Sequence, residues 1–405
     1  MDSAQYLAQL VGIDTTSSEK LERDRSNHQL IALMEQHFSA CGFKTTTYEI
    51  APGKFNLLAL SPNAHGPDLG LLLCGHSDCV PFVAANWSSD PLLLREQAGK
   101  LYGRGTCDMK GFLACMMELA AQTKESKCYP KVSFLVTCDE ETSMQGAIAL
   151  PQLFAHDFPH QHFSLIIIGE PTSMQAVVAH KGYMARELTF KGVSAHSSHP
   201  DLGLNAIYSS NIALTKLQEL ERKLRQDFYD DGFAVPFPTL NIGYITGGHS
   251  LNSICDEVKL GFDLRPTPNM SPALALQLIN ECYESIVAAC QDLHAQKKHN
   301  CALQAKLASK SLCTMNEPFA DIPAFVNHDE HSYQLLNKHL GSQMSPLQVN
   351  YCTEASFLQE LGPTVVLGPG SIDQAHGIDE YVALSELTKC DDFLCKLITS
   401  FKPRT

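Results

Sequence analysis

The sequence predicts an α/β protein with a mainly parallel sheet, interrupted by a smaller inserted domain. Apolar runs of strand length alternate with helical patterns in the first part of the chain, as expected where helices connect parallel strands. From Tyr183 onwards the order changes to β-α-β-β-α-β, which is the order of a ferredoxin-like unit. The alternation of strands and helices then resumes towards the C-terminus. The middle segment is therefore interpreted as an insertion into the first domain.

The elements before the insertion follow from hydrophobic spacing and from turn residues. Two helices are predicted first, at 6–13 and 24–41, the second because apolar residues recur at helical spacing before Gly42. Turns that contain proline or glycine separate the strands that follow. The remaining elements, in chain order, are strands at 44–50, 56–60 and 69–74, a helix at 112–121, a strand at 132–138, a helix at 145–154 and a strand at 165–168.

The insertion is expected at 182–312, between the two parts of the first domain at 1–181 and 313–405. Within it, alternation of apolar and polar residues indicates strands, and a 3.6-residue period indicates helices. Its elements, in chain order, are predicted as a strand at 183–190, a helix at 204–224, strands at 239–245 and 255–264, a helix at 273–290 and a strand at 302–307. The first domain is completed by a helix at 332–340, a strand at 364–367 and a helix at 385–401.

The composition is that of a folded globular protein, with 44% apolar and 18% charged residues. A formal net charge of −14 disfavours nucleic acids and anionic membrane surfaces as partners. The N-terminal residues show no signal-peptide pattern, and no apolar run reaches the length of a membrane span. The 15 cysteines include no Cys-x-x-Cys pair, so neither a cysteine-based zinc finger nor a disulfide scaffold is expected. These features predict a cytoplasmic protein.

The residues that can carry chemistry share one position, because each follows the end of a predicted strand or hairpin. The central strand at 132–138 runs directly into three adjacent acids, which need a cation, a basic partner or exposure to water. Loops at the carboxyl ends of parallel strands converge. The convergent set is His76, Asp108, Glu140, Glu141, Glu170 and His376. Two imidazoles with several carboxylates predict a pair of zinc-like ions rather than magnesium.

Such a site also needs groups that do not themselves bind the ions. Asp78 is two residues from His76, so its carboxylate is expected to accept the second N–H of the imidazole and to fix the tautomer that binds metal. Adjacent side chains on an extended backbone point to opposite sides. One of Glu140 and Glu141 can therefore bind a cation while the other moves protons.

Three other interpretations compete with a metal site. The Asp-Glu-Glu run alone is typical of a solvated acidic turn. A metal-binding but inactive scaffold or interaction protein is a second class, and it is disfavoured because Glu140, which such a protein can lose without losing metal, is present. A serine hydrolase on an α/β fold is disfavoured because the sequence contains no Gly-x-Ser-x-Gly.

Five segments together resemble the metal-site motifs of the dinuclear zinc deacylase and exopeptidase family, and the resemblance extends over the whole chain. They are Gly-His-Ser-Asp at 75–78, Gly-Arg-Gly-Thr-Cys-Asp-Met-Lys-Gly at 103–111, Asp-Glu-Glu-Thr at 139–142, Gly-Glu-Pro-Thr at 169–172 and Gln-Ala-His at 374–376. The resemblance implies two divalent ions, with Zn²⁺ as the first choice and Co²⁺ as the second. It implies that the first domain is catalytic and that the inserted domain mediates dimerisation.

The resemblance assigns metal ligands residue by residue. Asp108 is implied to bridge both ions. His76 and Glu170 would complete the ligands of one ion, and Glu141 and His376 those of the other.

The resemblance also assigns residues that act on the substrate. Glu140 is implied to be the general base. His196 of the inserted domain is implied to contact the substrate bound to the partner subunit, which predicts a homodimer. Arg265 and Asn252 match positions that hold a substrate carboxylate. Glu354 is a candidate partner for a substrate ammonium group, on the basis of its charge and its place in a stretch that resembles one family member.

The implied activity is hydrolysis of the N-acyl amide of a small amino-acid substrate. Segments 349–355, 367–372 and 179–182 are most similar to members that deacetylate N2-acetyl-L-ornithine in arginine biosynthesis. The alternative is the same chemistry on another substrate, such as N-succinyl-diaminopimelate, N-acetyl-citrulline or a dipeptide. The expected partners are therefore the small-molecule substrate and a second copy of the chain.

Overall fold

The computed structural model describes residues 1–295, 312–340 and 346–401. The chain forms two compact units. The first comprises Met1–Ala179, Val326–Gln348 and Thr353–Thr405, and the second comprises His180–Phe325 and Val349–Cys352. Among the described helices, none combines the length and the apolar character that crossing a membrane requires.

The described elements are numbered along the chain. Those that precede the second unit are α1 (Ser3–Val11), α2 (His28–Ala40), β1 (Lys44–Ala51), β2 (Lys54–Leu60), β3 (Leu71–His76), β4 (Arg95–Gln97), β5 (Lys100–Tyr102), α3 (Lys110–Ser126), β6 (Val132–Thr137), α4 (Gln145–Asp157), β7 (Leu165–Ile168) and β8 (Val177–His180). They are followed by β9 (Tyr183–Lys191), α5 (Ala206–Asp227), β10 (Thr239–Gly247), β11 (Glu257–Arg265), α6 (Pro272–Ala295), β12 (Cys313–Met315), β13 (Ala320–Ile322) and β14 (Phe325–Val326). The last are α7 (Glu330–Leu340), β15 (Leu347–Val349), α8 (Ala355–Leu358), β16 (Thr364–Val366), β17 (Tyr381–Ala383) and α9 (Leu384–Ser400).

The main sheet has the order β1-β2-β6-β3-β7-β16-β8-β14, and β15 also pairs with β8. Its central strands β6, β3, β7 and β16 are parallel neighbours. Antiparallel pairs join β2 to β6 on one side and β8 to β16 on the other. Because parallel strands end at the same edge of a sheet, the carboxyl ends of the four central strands open onto one site.

The central strands are buried along their whole length, which explains why their sequences are nearly continuous apolar runs. Helices α1, α2 and α9 pack against α3 above the sheet. Phe38 of α2 stacks on Phe134 of β6 with ring centroids 4.8 Å apart, and Phe43 lies 5.0 Å from the same ring. Each fully buried aromatic side chain stabilises the folded state by about 1.5–3 kcal/mol. This core fixes the strands whose ends carry the site.

The second unit contains an antiparallel sheet with the order β10-β11-β9-β12, and β13 also pairs with β9. Helices α5 and α6 pack on each other, and α5 packs on the sheet. The core between them is apolar and includes Leu217, Leu224, Ile279 and Ile286. The order β9-α5-β10-β11-α6-β12 is the predicted β-α-β-β-α-β order. The predicted fold class is therefore confirmed.

The end of the insertion is corrected by the structure. Residues 313–325 were expected in the first domain, but they belong to the second unit because β12 and β13 form backbone hydrogen bonds with β9. The strand predicted at 302–307 lies outside the described residues. Strand pairing depends on a partner that is distant in the chain, so three-residue strands such as β12 leave little signal in the sequence.

Candidate metal centre

Two ligand candidates lie at the carboxyl ends of neighbouring parallel strands. His76 is the last residue of β3 and is fully buried. Glu170 follows the end of β7 by two residues and is also buried. Gly169, between β7 and Glu170, lies directly on the ring of Phe112, because an added Cβ would be 1.9 Å from Phe112 Cγ. Only a glycine permits this close approach of the backbone to the ring.

Asp108 links two histidines that are 300 residues apart in the chain. It lies two residues before the start of α3, and its peptide bond to Met109 is cis. His76 Nε2 donates to Asp108 Oδ1 at 3.0 Å, and His376 Nε2 is 3.2 Å from Asp108 Oδ2. The two oxygens of one carboxylate therefore each contact a different imidazole, which is the arrangement expected of a bridging ligand.

Two glutamates complete this cluster on opposite sides of Asp108. Glu141 Oε2 is 2.9 Å from His376 Nε2, and Glu170 Oε1 is 3.9 Å from His76 Nε2. One ligand atom each from His76, Asp108 and Glu141 lies within 4.8 Å of the other two. Ligand atoms bound to one zinc ion at about 2.0–2.1 Å lie roughly 3.3 Å apart in a tetrahedral arrangement. The closest contacts in the cluster have this spacing.

The cluster fits divalent cations because it contains buried acceptors without donors. Glu141 Oε1 and Glu170 Oε1 are buried and accept no hydrogen bond from the described residues. Leaving such an oxygen unsatisfied costs about 1–3 kcal/mol or more when it is charged. Within the described residues, the only ion-pair partners of these acids are His76 and His376. A cation between these acids and histidines would satisfy both oxygens.

The pKa shifts of the acids and histidines in the cluster also favour a site for cations. Burial, followed by the Asp108 carboxylate, raises the pKa of Glu170 well above its usual range, and the same two causes raise the pKa of Glu141 to about 7. Hydrogen bonds to Asp108 and Glu141 raise the pKa of His376 to about 10. Burial opposes the charged form of His76, but its hydrogen bond to Asp108 and the charge of Glu170 raise its pKa well above the usual value. These shifts all favour the forms that reduce repulsion between carboxylates, as expected where buried acids outnumber the cations beside them.

The role expected for the Asp78 side chain is corrected by the structure. His76 Nδ1 lies 3.0 Å from the backbone oxygen of Asp78 but 3.7 Å from its carboxylate. The two carboxylate oxygens instead accept the backbone N–H groups of Glu140 at 3.2 Å and Glu141 at 3.1 Å. The carbonyl thus orients the imidazole, and the carboxylate holds the acidic loop.

Burial, followed by the charge of Glu170, raises the pKa of Glu140 well above its usual value.

Lys54 and Arg104 support the metal cluster, although the sequence analysis did not assign them. Lys54 Nζ donates to Asp139 Oδ1 at 2.8 Å and to Asp24 Oδ1 at 2.7 Å, so it ties the start of the acidic loop to the segment before α2. Arg104 forms a buried ion pair with Glu380, four residues after His376. In the sequence, Lys54 is recognisable only as a charged residue beside an apolar strand. Arg104 is recognisable only as part of the motif at 103–111.

Glu354 is fully buried next to the end of the central strands. Cys74 Sγ lies 3.8 Å from its Oε2, while its Oε1 accepts no hydrogen bond from the described residues. Burial raises its pKa to about 7. Its proposed contact with a substrate ammonium group stays a prediction.

The remaining substrate-binding candidates lie in the second unit, at opposite ends of its sheet. Ser197 N donates to Asn252 O at 2.9 Å, so His196 and Asn252 are neighbours near the start of β11. Arg265 is the last residue of β11, and its guanidinium lies over the ring of Tyr183 at 4.8 Å. Eight residue steps along the strand separate these ends by roughly 26 Å. Asn252 and Arg265 of one protomer therefore cannot hold the same small carboxylate.

Two cationic side chains, Arg265 and Lys181, lie near the end of β11 that carries Arg265. Burial and the charge of Arg265 lower the pKa of Lys181 to about 8, and Lys181 Nζ donates to Phe237 O at 2.7 Å. Arg265 Nε is 3.4 Å from Asp263 Oδ1. With Asp263 beside Arg265 and Asp230 near Lys181, these two cations remain donors that a substrate carboxylate can contact.

Comparison with known protein families identifies a match over most of the chain. The model of peptidase family M20/M25/M40 matches residues 72–400. Proteins named acetylornithine deacetylase are similar over nearly the full length. That of Pasteurella multocida (strain Pm70) is 38% identical over 98% of this chain and 97% of its own length. That of Vibrio atlanticus (strain LGP32) is 38% identical over 97% of this chain and 96% of its own length.

Solved structures share the fold at low sequence identity. A tripeptidase from Staphylococcus aureus has a TM-score of 0.71 at 20% identity, covering 98% of this chain and 96% of its own. The YXEP protein of Bacillus subtilis, described as a dinuclear metal-binding peptidase of the M20 family, has a TM-score of 0.62 at 13% identity, covering 98% of this chain and 96% of its own. At these identities the likeness concerns the fold.

Proposed function

The chain belongs to peptidase family M20/M25/M40, and from this premise we propose that it is a metal-dependent amidohydrolase that converts N2-acetyl-L-ornithine to ornithine and acetate. The observation that carries the chemistry is the contact of Asp108 with both His76 and His376 beside the acidic loop. The substrate rests on relatives of 38% identity over nearly the whole chain that are named for this reaction.

The cluster would hold two divalent ions, Zn²⁺ in the first place and Co²⁺ as an alternative. Asp108 would bridge them, with His76 and Glu170 on one side and Glu141 and His376 on the other. The orphaned oxygens of Glu141 and Glu170 support this assignment. When bound, the ions supply a water of lowered pKa and polarise the amide carbonyl.

Glu140 is the proposed general base. Its carboxylate takes a proton from the attacking water and returns it to the amide nitrogen, which leaves as the α-amino group of ornithine. Without that proton the nitrogen is a poor leaving group. Asp78 supports this step because its carboxylate holds the backbone N–H groups of Glu140 and Glu141. His196 is proposed to donate a hydrogen bond to the carbonyl oxygen as negative charge develops there.

The substrate carboxylate is proposed to bind Arg265 or Asn252, and the substrate ammonium Glu354. The position of Lys181 beside Arg265 at this end of β11 supports carboxylate binding there. Because Asn252 lies at the other end of the sheet, the two residues would contribute to one site only from different subunits.

We therefore also propose a homodimer. Strand β10 forms an edge of the second-unit sheet, and its Ile245 and the following Leu251 are exposed. An exposed apolar sheet edge favours pairing with another strand. A two-fold arrangement would let His196 and Asn252 of one copy serve the site of the other. The partners are thus the substrate and a second copy, and the net charge of −14 disfavours nucleic acid and anionic membranes.

A cytoplasmic location in arginine biosynthesis completes the proposal. The cysteines of the described residues are all free, as expected in a reducing compartment.

The function is tested by comparing hydrolysis of N2-acetyl-L-ornithine, N-acetyl-citrulline and N-succinyl-diaminopimelate. We expect the highest kcat/KM on N2-acetyl-L-ornithine, loss of turnover after chelation, and recovery with Zn²⁺ or Co²⁺. A higher kcat/KM on either competitor contradicts the substrate assignment alone. Undiminished turnover in metal-free protein, verified by elemental analysis, contradicts the metal-dependent mechanism.

A further inference from the structure

A buried ion pair lies next to the metal cluster and contacts the backbone on both sides of it. Arg104 Nη1 donates to Glu380 Oε2 at 2.8 Å, and both residues are buried. Arg104 is four residues before Asp108, and Glu380 is four residues after His376. The pair therefore connects the two segments that supply Asp108 and His376.

The Glu380 carboxylate is the centre of a set of backbone hydrogen bonds from one loop. Its Oε1 accepts the N–H groups of Cys107 at 2.9 Å and Asp108 at 3.1 Å, and its Oε2 accepts the N–H of Gly105 at 3.0 Å. The Glu380 backbone oxygen accepts the N–H of Gly103 at 3.0 Å. Successive N–H groups that converge on one anion form a nest, and here the anion is a side chain of the protein.

Arg104 extends the connection to the residue beside the second histidine. Its Nη2 donates to the backbone oxygen of Gly377 at 3.3 Å, and Gly377 follows His376 directly. The guanidinium also lies over the ring of Trp87 at 4.9 Å, which fixes its plane. A flat fork with several donors can make these contacts together, whereas a lysine ammonium cannot reproduce their geometry.

We propose that Glu380 and Arg104 are positioning residues that hold the Asp108 loop and the His376 loop at the spacing required for metal binding. This inference rests on the proposed metal-dependent function. The distance that the pair controls is that between His376 Nε2 and Asp108 Oδ2, 3.2 Å. General stabilisation is the weaker explanation, because a buried ion pair is often no more stabilising than well-packed apolar residues.

The test uses Glu380→Gln, which removes the charge, and Arg104→Lys, which keeps the charge but loses the fork. The matched controls are Asp321→Asn and Arg186→Lys. Arg186 is equally buried, donates to Asp321 Oδ1 at 2.7 Å and to the backbone oxygen of Ala320, and belongs to the second unit. The controls therefore perturb an ion pair whose arginine is equally buried, although its aspartate is more exposed than Glu380, and which contacts no proposed metal ligand.

Metal-free protein is titrated with Zn²⁺ by calorimetry, and with Co²⁺ while the visible ligand-field spectrum is recorded. We expect both Glu380→Gln and Arg104→Lys to bind at least one of the two ions about 10–100-fold more weakly, as for other groups that orient metal ligands. The Co²⁺ spectrum should change, and kcat on N2-acetyl-L-ornithine should fall with KM nearly unchanged. The controls should retain wild-type affinity, spectrum and kinetics.

Hydrogen exchange of the metal-free proteins gives a readout that does not depend on activity. The amides of Gly105, Cys107 and Asp108 should exchange faster in Glu380→Gln than in the wild type. If Glu380→Gln does not fold, the metal affinity and the Co²⁺ spectrum of Arg104→Lys test the inference instead. Wild-type metal affinity and wild-type amide exchange in the variants would overturn the inference and leave the proposed function standing. A wild-type protein that binds no divalent ion would overturn both.

Discussion

Glu140 and Glu141 are neighbours in the chain, but their surroundings differ. Glu141 Oε2 contacts His376 Nε2 at 2.9 Å, whereas Glu140 has no ion-pair contact with a histidine within the described residues. Both backbone N–H groups are held by the carboxylate of Asp78. The two residues lie in a turn and not on the extended backbone that the sequence suggested, and their different partners separate the binding of an ion from the transfer of a proton. The two roles can therefore be separated by single substitutions.

Glu140→Gln is expected to lower kcat on N2-acetyl-L-ornithine by about 10²–10⁴-fold, because an amide cannot accept the proton. Metal content, measured by elemental analysis, should stay at the wild-type value. Glu141→Gln is the matched comparison and should lower the metal content itself. Full metal together with kcat within about tenfold of wild type in Glu140→Gln would exclude its role in proton transfer.

At the scale of elements, the C-terminal end of α1 is closed by a side chain of α3. Lys110 is fully buried, and its Nζ donates to the backbone oxygens of Leu10 at 3.1 Å and Ile13 at 2.8 Å. Carbonyl groups at the end of a helix lack intrahelical donors, and a cation there also interacts favourably with the helix dipole. The contact ties α1 to the helix that begins two residues after Asp108.

Lys110→Met is expected to lower the free energy of unfolding by about 1–3 kcal/mol, because it removes two hydrogen bonds between a buried ammonium group and backbone carbonyls, although Leu10 O keeps the N–H of Ile13 as a donor. The quantity is measured by urea denaturation of metal-free protein. Lys124→Met, at an exposed position of the same helix, is the control and should change stability by less than about 0.5 kcal/mol. Equal stability of Lys110→Met and wild type would show that the cap contributes nothing.

Asp391 of α9 lies where α9 meets α1 and α3. Its Oδ1 and Oδ2 both accept from Ser3 Oγ at 2.8 Å, and Ser3 Oγ also lies 2.6 Å from Glu118 Oε2. Burial raises the pKa of Asp391 to about 6. A raised pKa means that the folded state favours the protonated carboxyl. Its contribution to stability is therefore present below the unfolded pKa of about 3.9 and is lost as the pH rises through about 6.

Asp391→Asn is therefore expected to be more stable than wild type by about 1–3 kcal/mol at pH 8, with a difference that shrinks as the pH falls below 6. Urea denaturation of metal-free protein between pH 5 and pH 8 measures it. Asp392→Asn, at the exposed neighbouring position, should show no such trend. A stability difference that is the same at pH 5 and pH 8 would contradict the raised pKa of Asp391.

At the scale of the whole molecule, the proposed substrate contacts cannot all come from one chain. Asn252 and His196 lie at one end of the second-unit sheet and Arg265 lies at the other, roughly 26 Å away along β11. If these residues act on one substrate, each site must combine residues of two subunits. The proposed dimer is then a requirement of catalysis as well as of assembly.

Mixed dimers test this requirement. Glu140→Gln and His196→Ala should each be nearly inactive alone, but mixing and re-forming the subunits should restore about a quarter of the wild-type rate, because half of the dimers then hold one complete site. The control mixture pairs Glu140→Gln with a chain carrying both substitutions, and it should stay inactive. Failure of the first mixture to regain activity, with mixed dimers shown by native mass spectrometry, would contradict shared sites.

The sequence alone determined which positions in the chain are candidates for the site. The run at 132–138 ending in Asp139, Glu140 and Glu141 indicated a buried strand and its acidic loop, and the structure has β6 there. His76 and Glu170 were likewise recognised from their positions at strand ends. Local patterns suffice for such conclusions because hydrophobic periodicity and turn residues act over a few neighbouring positions.

Only the tertiary structure decided what these side chains contact. It showed that Asp108 contacts both histidines, that the Asp78 carboxylate holds the acidic loop, and that β12 and β13 pair with β9. It also brought Glu380 to the amides before Asp108, across more than 270 residues of chain. The physical reason is that hydrogen bonds and ion pairs depend on ångström-scale distances between segments, and folding sets those distances through the packing of the entire core.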